Sequence, residues 1–263
     1  MLAKPQMWWP GINRQHPLAR GLVGCWPLWE GAGSRVMDVS GHGQHGALIN
    51  MEPGDWTAGP VGHRLLFGGT NEYVAVPGAD CGFNVTNQIT VAILGKFGGN
   101  EQVFFELSRD GNLNTGAVLF QEGGNLSWRV MTVGPTNNVV VALTPKYAVH
   151  VATYGQGQYL YRDGALVVSN VANTGNFRDT LVGGMQLASH FGGFYLLVGP
   201  IDFAAVWNRY FASSEVAQLS AALFAMLRPP SIARRYVPAA GGQPTMRRWG
   251  GVPGMPLTGR IGW

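Results

Sequence analysis

Charge is what this sequence has least of. Asp, Glu, Lys and Arg make up 12% of its 263 residues, about half the usual share of a soluble globular chain. A surface so poor in charge is expected to be partly covered by something else. Acidic residues are missing altogether from Val216 to the C-terminus, where six arginines stand (Arg228, Arg234, Arg235, Arg247, Arg248, Arg260). The preceding residues hold the other 12 of the 18 basic groups against all 14 acidic ones, so the formal charge of +4 belongs to the tail. The body is nearly neutral, which argues against nucleic acid as a partner.

Cysteine is nearly absent too. Cys25 and Cys81 allow one bridge at most. That is no disulfide framework, and two buried thiols is the simpler expectation. No apolar run reaches about 18 residues, so no membrane span is expected. The opening MLAKPQMWWPGINRQHPLAR is interrupted by prolines and lacks the apolar stretch of a signal peptide. The 39 glycines keep no period of three, which excludes collagen. They fit tight turns between short strands instead.

What is present is strand after strand. Short runs rich in Val, Ile, Phe and Tyr, bounded by Gly, Asn and Asp, stand at Ile89–Leu94, Val103–Leu107, Ala117–Phe120, Leu126–Val133, Val139–Leu143 and Ala148–Thr153. Further runs stand at Met185–Ala188, Tyr195–Val198 and Ile201–Trp207. Between Tyr159–Arg162 and Ala165–Val168, Asp163-Gly164 supplies the two positive-φ residues of a tight hairpin. One helix is expected in ASSEVAQLSAALFAML, capped by Ser213 or Ser214, with Glu215 at its positive end. Its apolar stripe is Val216, Leu219, Leu223, Phe224 and Leu227.

Many strands without alternating helices exclude a parallel α/β fold. A sheet with one apolar face must bury it against another. The fold class is therefore all-β: a two-sheet antiparallel sandwich of jelly-roll type with one short C-terminal helix and extended terminal arms. Three zones follow: an N-terminal arm (1–20), the jelly roll (21–228), and a Gly/Pro/Arg C-terminal arm (229–263).

Four stretches, in order, resemble the concanavalin A-like, laminin-G-like jelly-roll modules. They are GLVGCWPLWEGAGSRVMDVSGHGQHGALI (21–49), GPVGHRLLFGGTNEYVAVP (59–77), HVATYGQGQYLYRDGALVVS (150–169) and GPIDFAAVWNRYFASSEVAQL (199–219). Fold does not give function, since such modules serve as carbohydrate binders, adhesion domains, glycosidases and parts of virus particles.

The resemblance implies that an enzymatic member would carry a Glu-x-Asp-x-x-Glu strand, because retaining glycoside hydrolysis needs two carboxyls about 5–5.5 Å apart. No such motif occurs. Glu101, Glu106 and Asp110 are the nearest group, and Glu101 and Glu106 would face opposite sides of a regular strand. No serine sits in a Gly-x-Ser-x-Gly elbow. A non-enzyme is expected.

Among ligand candidates, His42 and His45 form a His-x-x-His without a third strong donor, so a turn is favoured over zinc. The resemblance implies calcium positions at Asp38 and Asp202. Yet Phe203 stands where a second acid is expected, and FGGTNEY carries Asn71 and Glu72 in place of aspartates. The favoured expectation is no cofactor, with Asp38 capping its Ser-Gly turn and Asp202 accepting strand or loop hydrogen bonds. Trp26, Trp29, Trp128 and Trp207 belong to expected strands and core, which leaves Trp56 as the loop tryptophan able to stack on a sugar. The sequons at Asn84 and Asn125 are short enough to arise by chance.

The arms alternate flexible Gly/Pro with single anchors: Trp8 and Trp9 at one end, Arg234, Arg235, Tyr236, Arg247, Arg248, Trp249 and Trp263 at the other. Such segments order by docking into a partner's grooves. They also resemble the ends of phage structural proteins that carry a laminin-G-like module. The resemblance implies a virion protein, expected on the capsid surface, with the major capsid protein or other virion proteins as partner, homo-oligomeric there, and assembled in the host cytoplasm. The alternative expectation is a lectin-like, carbohydrate-binding adhesion module.

Overall fold

The computed structural model describes residue 4 and residues 11–76, 87–96, 99, 101–107, 116–133, 137–142, 146–177, 184–190 and 195–227. The chain divides after Pro230 into two units, and the description concerns the first. The anchors expected at Trp8, Trp9, Arg234, Arg235, Tyr236, Arg247, Arg248, Trp249 and Trp263 all lie outside the described residues, as do Cys81 and Asp110.

Among the described residues the strands are β1 (Leu22–Trp26), β2 (Arg35–Val36), β3 (Gly46–Ile49), β4 (Trp56–Gly59), β5 (Gly62–Gly68), β6 (Tyr73–Val76), β7 (Ile89–Gly95) and β8 (Gln102–Leu107). Then come β9 (Ala117–Glu122), β10 (Asn125–Val130), β11 (Asn137–Ala142), β12 (Ala148–Tyr154), β13 (Gln158–Arg162), β14 (Ala165–Asn170), β15 (Met185–Leu187) and β16 (Val198–Trp207). The first sheet runs β14-β13-β12-β7-β16-β5-β4, with β1 on the far half of β16; the second runs β11-β10-β9-β8-β15-β6-β3-β2. All pairings are antiparallel. The chain is a two-sheet sandwich.

Alternation along each strand explains the layers. Val91 and Ile93 of β7, Ala152 and Tyr154 of β12, and Ala204 and Val206 of β16 point inward and meet Phe105, Leu119, Trp128 and Leu187 of the second sheet. The opposite-facing residues of the same three strands are equally apolar: Ala92, Leu94, Val149, Val151, Phe203, Ala205 and Trp207. A strand apolar on both faces must be covered on both. The outer cover is α1 (Ser213–Ala221) with the turn after it, whose Val216, Leu219, Leu223, Phe224 and Leu227 are all buried there. Each such side chain contributes about 1.5–3 kcal/mol relative to exposure.

Three local readings are adjusted. Residues 11–20, expected to belong to an arm, complete this outer cover: Ile12, Leu18 and Ala19 are buried, and the Trp207 indole N–H donates to Leu18 O at 2.6 Å. Ala212 takes the helix N-cap in place of Ser213 or Ser214, because Glu215 reaches back to accept its N–H at 3.1 Å. The runs Tyr195–Val198 and Ile201–Trp207 are not two strands. Val198 begins β16, which pairs with β5 up to Ile201 and then with β7, so Gly199-Pro200 lies within one strand rather than between two. At the hairpin, Asp163 and Gly164 have φ of 52° and 84°. The Asp163 carboxylate also accepts from Val149 N–H and Lys146 Nζ at 3.1 and 2.9 Å.

Candidate functional site

Asp38 organises the opening loop. Oδ1 accepts from Cys25 N–H at 2.9 Å and Ser40 N–H at 2.8 Å, while Oδ2 accepts from the Ser40 hydroxyl at 2.7 Å and Gln44 N–H at 3.0 Å. Four donors occupy the carboxylate, so it ties β1 to the loop and leaves no lone pair facing outward for a cation. His45 belongs to the same device, its Nδ1 accepting Asp38 N–H at 3.1 Å. His42 is exposed. Cys25 is a buried free thiol whose pKa burial pushes well up, with Asp38 adding to the effect.

Asp202 is the reverse. It sits in a bulge of β16 between Ile201, which faces the inner core, and Phe203, which faces the outer layer. It is 0% exposed, yet neither carboxylate oxygen has a hydrogen-bond partner. The strand or loop hydrogen bonds expected for it are absent. Gly59 makes the space, since a Cβ there would lie 2.6 Å from Asp202 Oδ1. Burial pushes the carboxyl above its usual pKa, partly opposed by Lys4 and Arg64. The Tyr147 hydroxyl faces it closely enough to interact, though outside hydrogen-bond geometry.

Trp56 does not present a sugar platform. It is 8% exposed, packs in the inner core, and its indole N–H donates to Gly33 O at 3.1 Å. No group of three or more His, Cys, Asp or Glu placed to hold a metal occurs among the described residues.

The outward face of the second sheet carries a different arrangement. Residues paired across strands share a face, so register defines one row: Asn138, Arg129, Val118, Glu106, Gln186, Ala75, Ala47, Arg35. Their neighbours along each strand, including Phe105, Leu107, Leu119 and Leu187, fill the core. At the centre of the row Glu106 is 0% and Gln186 7% exposed. Glu106 Oε2 lies 2.6 Å from Nδ1 of His190, which is 6% exposed. Gln186 Oε1 is buried without a hydrogen-bond partner. Beside His190, with ring centroids 6.1 Å apart, Tyr195 is 44% exposed. Farther along, Arg129 stacks 4.5 Å over the Phe120 ring.

Glu106 lies inside β8, within the expected strand run Val103–Leu107, whereas Glu101 is exposed before that strand with φ 55°. The available signal was a polar residue at an outward position of two strands, Glu106 in QVFFEL and Gln186 in MQL. Nothing in the spacing links them to each other or to His190. Chemically, the face offers one exposed ring, Tyr195, over a buried amide and a buried acid–imidazole pair. The exposed ring can stack against an apolar ring face.

No protein-family profile and no curated protein sequence matches the chain. Solved structures do. The receptor binding domain of botulinum neurotoxin D superposes with a TM-score of 0.60 at 12% identity, covering 78% of this chain and 54% of that one. The binding domain of Paraclostridial Mosquitocidal Protein 1 gives 0.59 at 16% identity, covering 79% and 53%. The binding domain of botulinum neurotoxin serotype G gives 0.57 at 12%, covering 77% and 51%. The likeness is one of fold. At these identities it carries the β-sandwich and nothing of the residues, and the chain spans about half the length of the structures it matches.

Proposed function

We propose that this chain is a non-enzymatic binding module that recognises a carbohydrate on the outward face of its second sheet. The observation that carries the reading is the exposed Tyr195 ring at the centre of that face, set over the buried Gln186 and Glu106–His190 pair. Tyr195 supplies the ring on which a pyranose stacks, and Gln186 with the Glu106–His190 pair forms the buried polar floor behind it. The solved structures of like fold support it at the level of role, since they are described as binding domains. A hydrolase would need a second carboxylate about 5–10 Å from Glu106, and none is described on this face. The test is a glycan array probed with the whole protein. Retention of a defined glycan class supports the reading; a blank array across neutral, acidic and amino sugars counts against it.

A second reading keeps the same sandwich as a virion structural protein on a capsid surface, gripping capsid subunits or neighbouring copies by its arms. Its support is the 12% charge content and a C-terminal arm, 229–263, with five arginines and no acid. Deleting 229–263 should then abolish particle attachment while sparing folding. Peptide mass spectrometry of purified virus particles should find the chain at a copy number comparable to the main shell protein. A few copies would move it to the tail, and absence would remove this reading.

A further inference from the structure

Lys4 is drawn into the first sheet's outer face next to Asp202. Its backbone N–H donates to Val61 O at 2.9 Å, and its side chain runs past Gly62. The ammonium donates to Leu28 O at 3.0 Å and to His63 O. Asp202 and Glu30 attract it electrostatically, and Arg64 opposes it. Glu30 holds its place by accepting Met37 N–H on Oε1 at 2.6 Å. Three oxygens of the two carboxylates that attract it are buried without a hydrogen-bond partner: Glu30 Oε2 and both oxygens of Asp202.

The donor set has a definite chemical preference. Two carbonyl oxygens accepting from one point, with two carboxylates attracting it from farther off, match a primary ammonium, with its compact charge and three rotatable N–H donors. They do not match the planar fork of a guanidinium. The cluster is also costly to hold charged: burial lowers the Lys4 pKa to about 8 and raises those of Glu30 and Asp202. A buried ionic network that opposes its own ionisation is better explained by what it positions than by stability.

We propose that Leu28 O and His63 O, with the negative charge of Glu30 and Asp202 nearby, form an ammonium-binding pocket through which Lys4 is fixed to the sandwich. Once the Lys4 side chain is removed, the pocket takes a free primary alkylammonium. This inference does not depend on the sugar reading.

The test uses the full chain with Lys4→Ala, which deletes the atoms of one propylammonium. Adding n-propylammonium should raise the Tm of Lys4→Ala by about 2–4 °C once it is near ten times its Kd, and leave the wild type unmoved. Equal concentrations of n-propanol, tetramethylammonium or calcium should not do so. Asp202→Asn in the Lys4→Ala background should reduce the rescue, with Leu28 O and His63 O still accepting from the free amine. Hydrogen exchange of the peptide containing Lys4 should quicken in Lys4→Ala and stay quick with propylammonium, because the free amine fills the pocket without restoring the tether. Lys4→Met, which keeps most of the stem, should show the same quickened exchange. Rescue by propanol as well as by the amine would overturn the proposal by showing simple cavity filling. Rescue by calcium alone would overturn it in favour of a divalent cation site. Unchanged exchange in both Lys4 variants would remove the tether.

Discussion

Two buried aspartates, Asp38 and Asp202, differ in every hydrogen bond. Asp38 accepts four donors, three of them backbone N–H groups, and ties β1 to its loop. Asp202 accepts none, although it is the more deeply buried at 0% against 7% exposure. A buried carboxylate is stabilising when its lone pairs are filled and costly when they are not. The first belongs to folding. The second belongs to something the fold is built to hold.

The largest expected effect follows from that contrast. Asp38→Ala orphans three buried N–H groups at once and should lower unfolding stability by about 3 kcal/mol or more, read from the urea midpoint at constant m-value. A loss under about 1 kcal/mol would mean water replaces the carboxylate, and the contrast would collapse.

His150 offers a comparable effect by another route. It is 0% exposed, 5.5 Å from the Phe104 ring, and burial lowers its pKa from 6.5 to about 4. The folded form keeps the ring neutral where the unfolded chain protonates it. Its contribution is therefore present above pH 6.5 and lost as pH falls through about 4, on the order of 3 kcal/mol over that window. Glu30 and Asp202, with raised pKa values, act in the opposite direction as pH falls. The difference in acid stability between wild type and His150→Phe isolates the histidine. Identical pH profiles would contradict the prediction.

Asp202→Asn should have the smallest effect, under about 1.5 kcal/mol, because no hydrogen bond is lost and Lys4 retains Leu28 O, His63 O and Glu30. A loss as large as that of Asp38→Ala would show that the two aspartates are alike after all.

The fold was legible where chemistry is local. Asp163-Gly164 marks its hairpin through two positive φ angles, and the stripe from Val216 to Leu227 marks its helix and that helix's buried face. Residues 11–20 were not legible, because the segment has no periodicity; its apolar residues are recruited one at a time by the outer layer. The Gly199-Pro200 pair reads as a break yet lies inside β16, where the strand exchanges one neighbour for another. The candidate site was less legible still. Glu106, Gln186 and His190 meet only through the pairing of β8 with β15, which no local pattern predicts. Trp56 looked like a ligand platform because it stands in a Gly/Pro loop, but packing takes its ring and Gly33 O takes its N–H.

The most direct test of the binding reading is quantitative glycan binding by the wild type and three single variants. The account predicts that Tyr195→Ala and Gln186→Leu each weaken binding at least about tenfold, roughly 1.4 kcal/mol, while Trp56→Phe leaves it unchanged. Binding that survives Tyr195→Ala and Gln186→Leu but disappears with Trp56→Phe would contradict the account and move the site to the loop before β4.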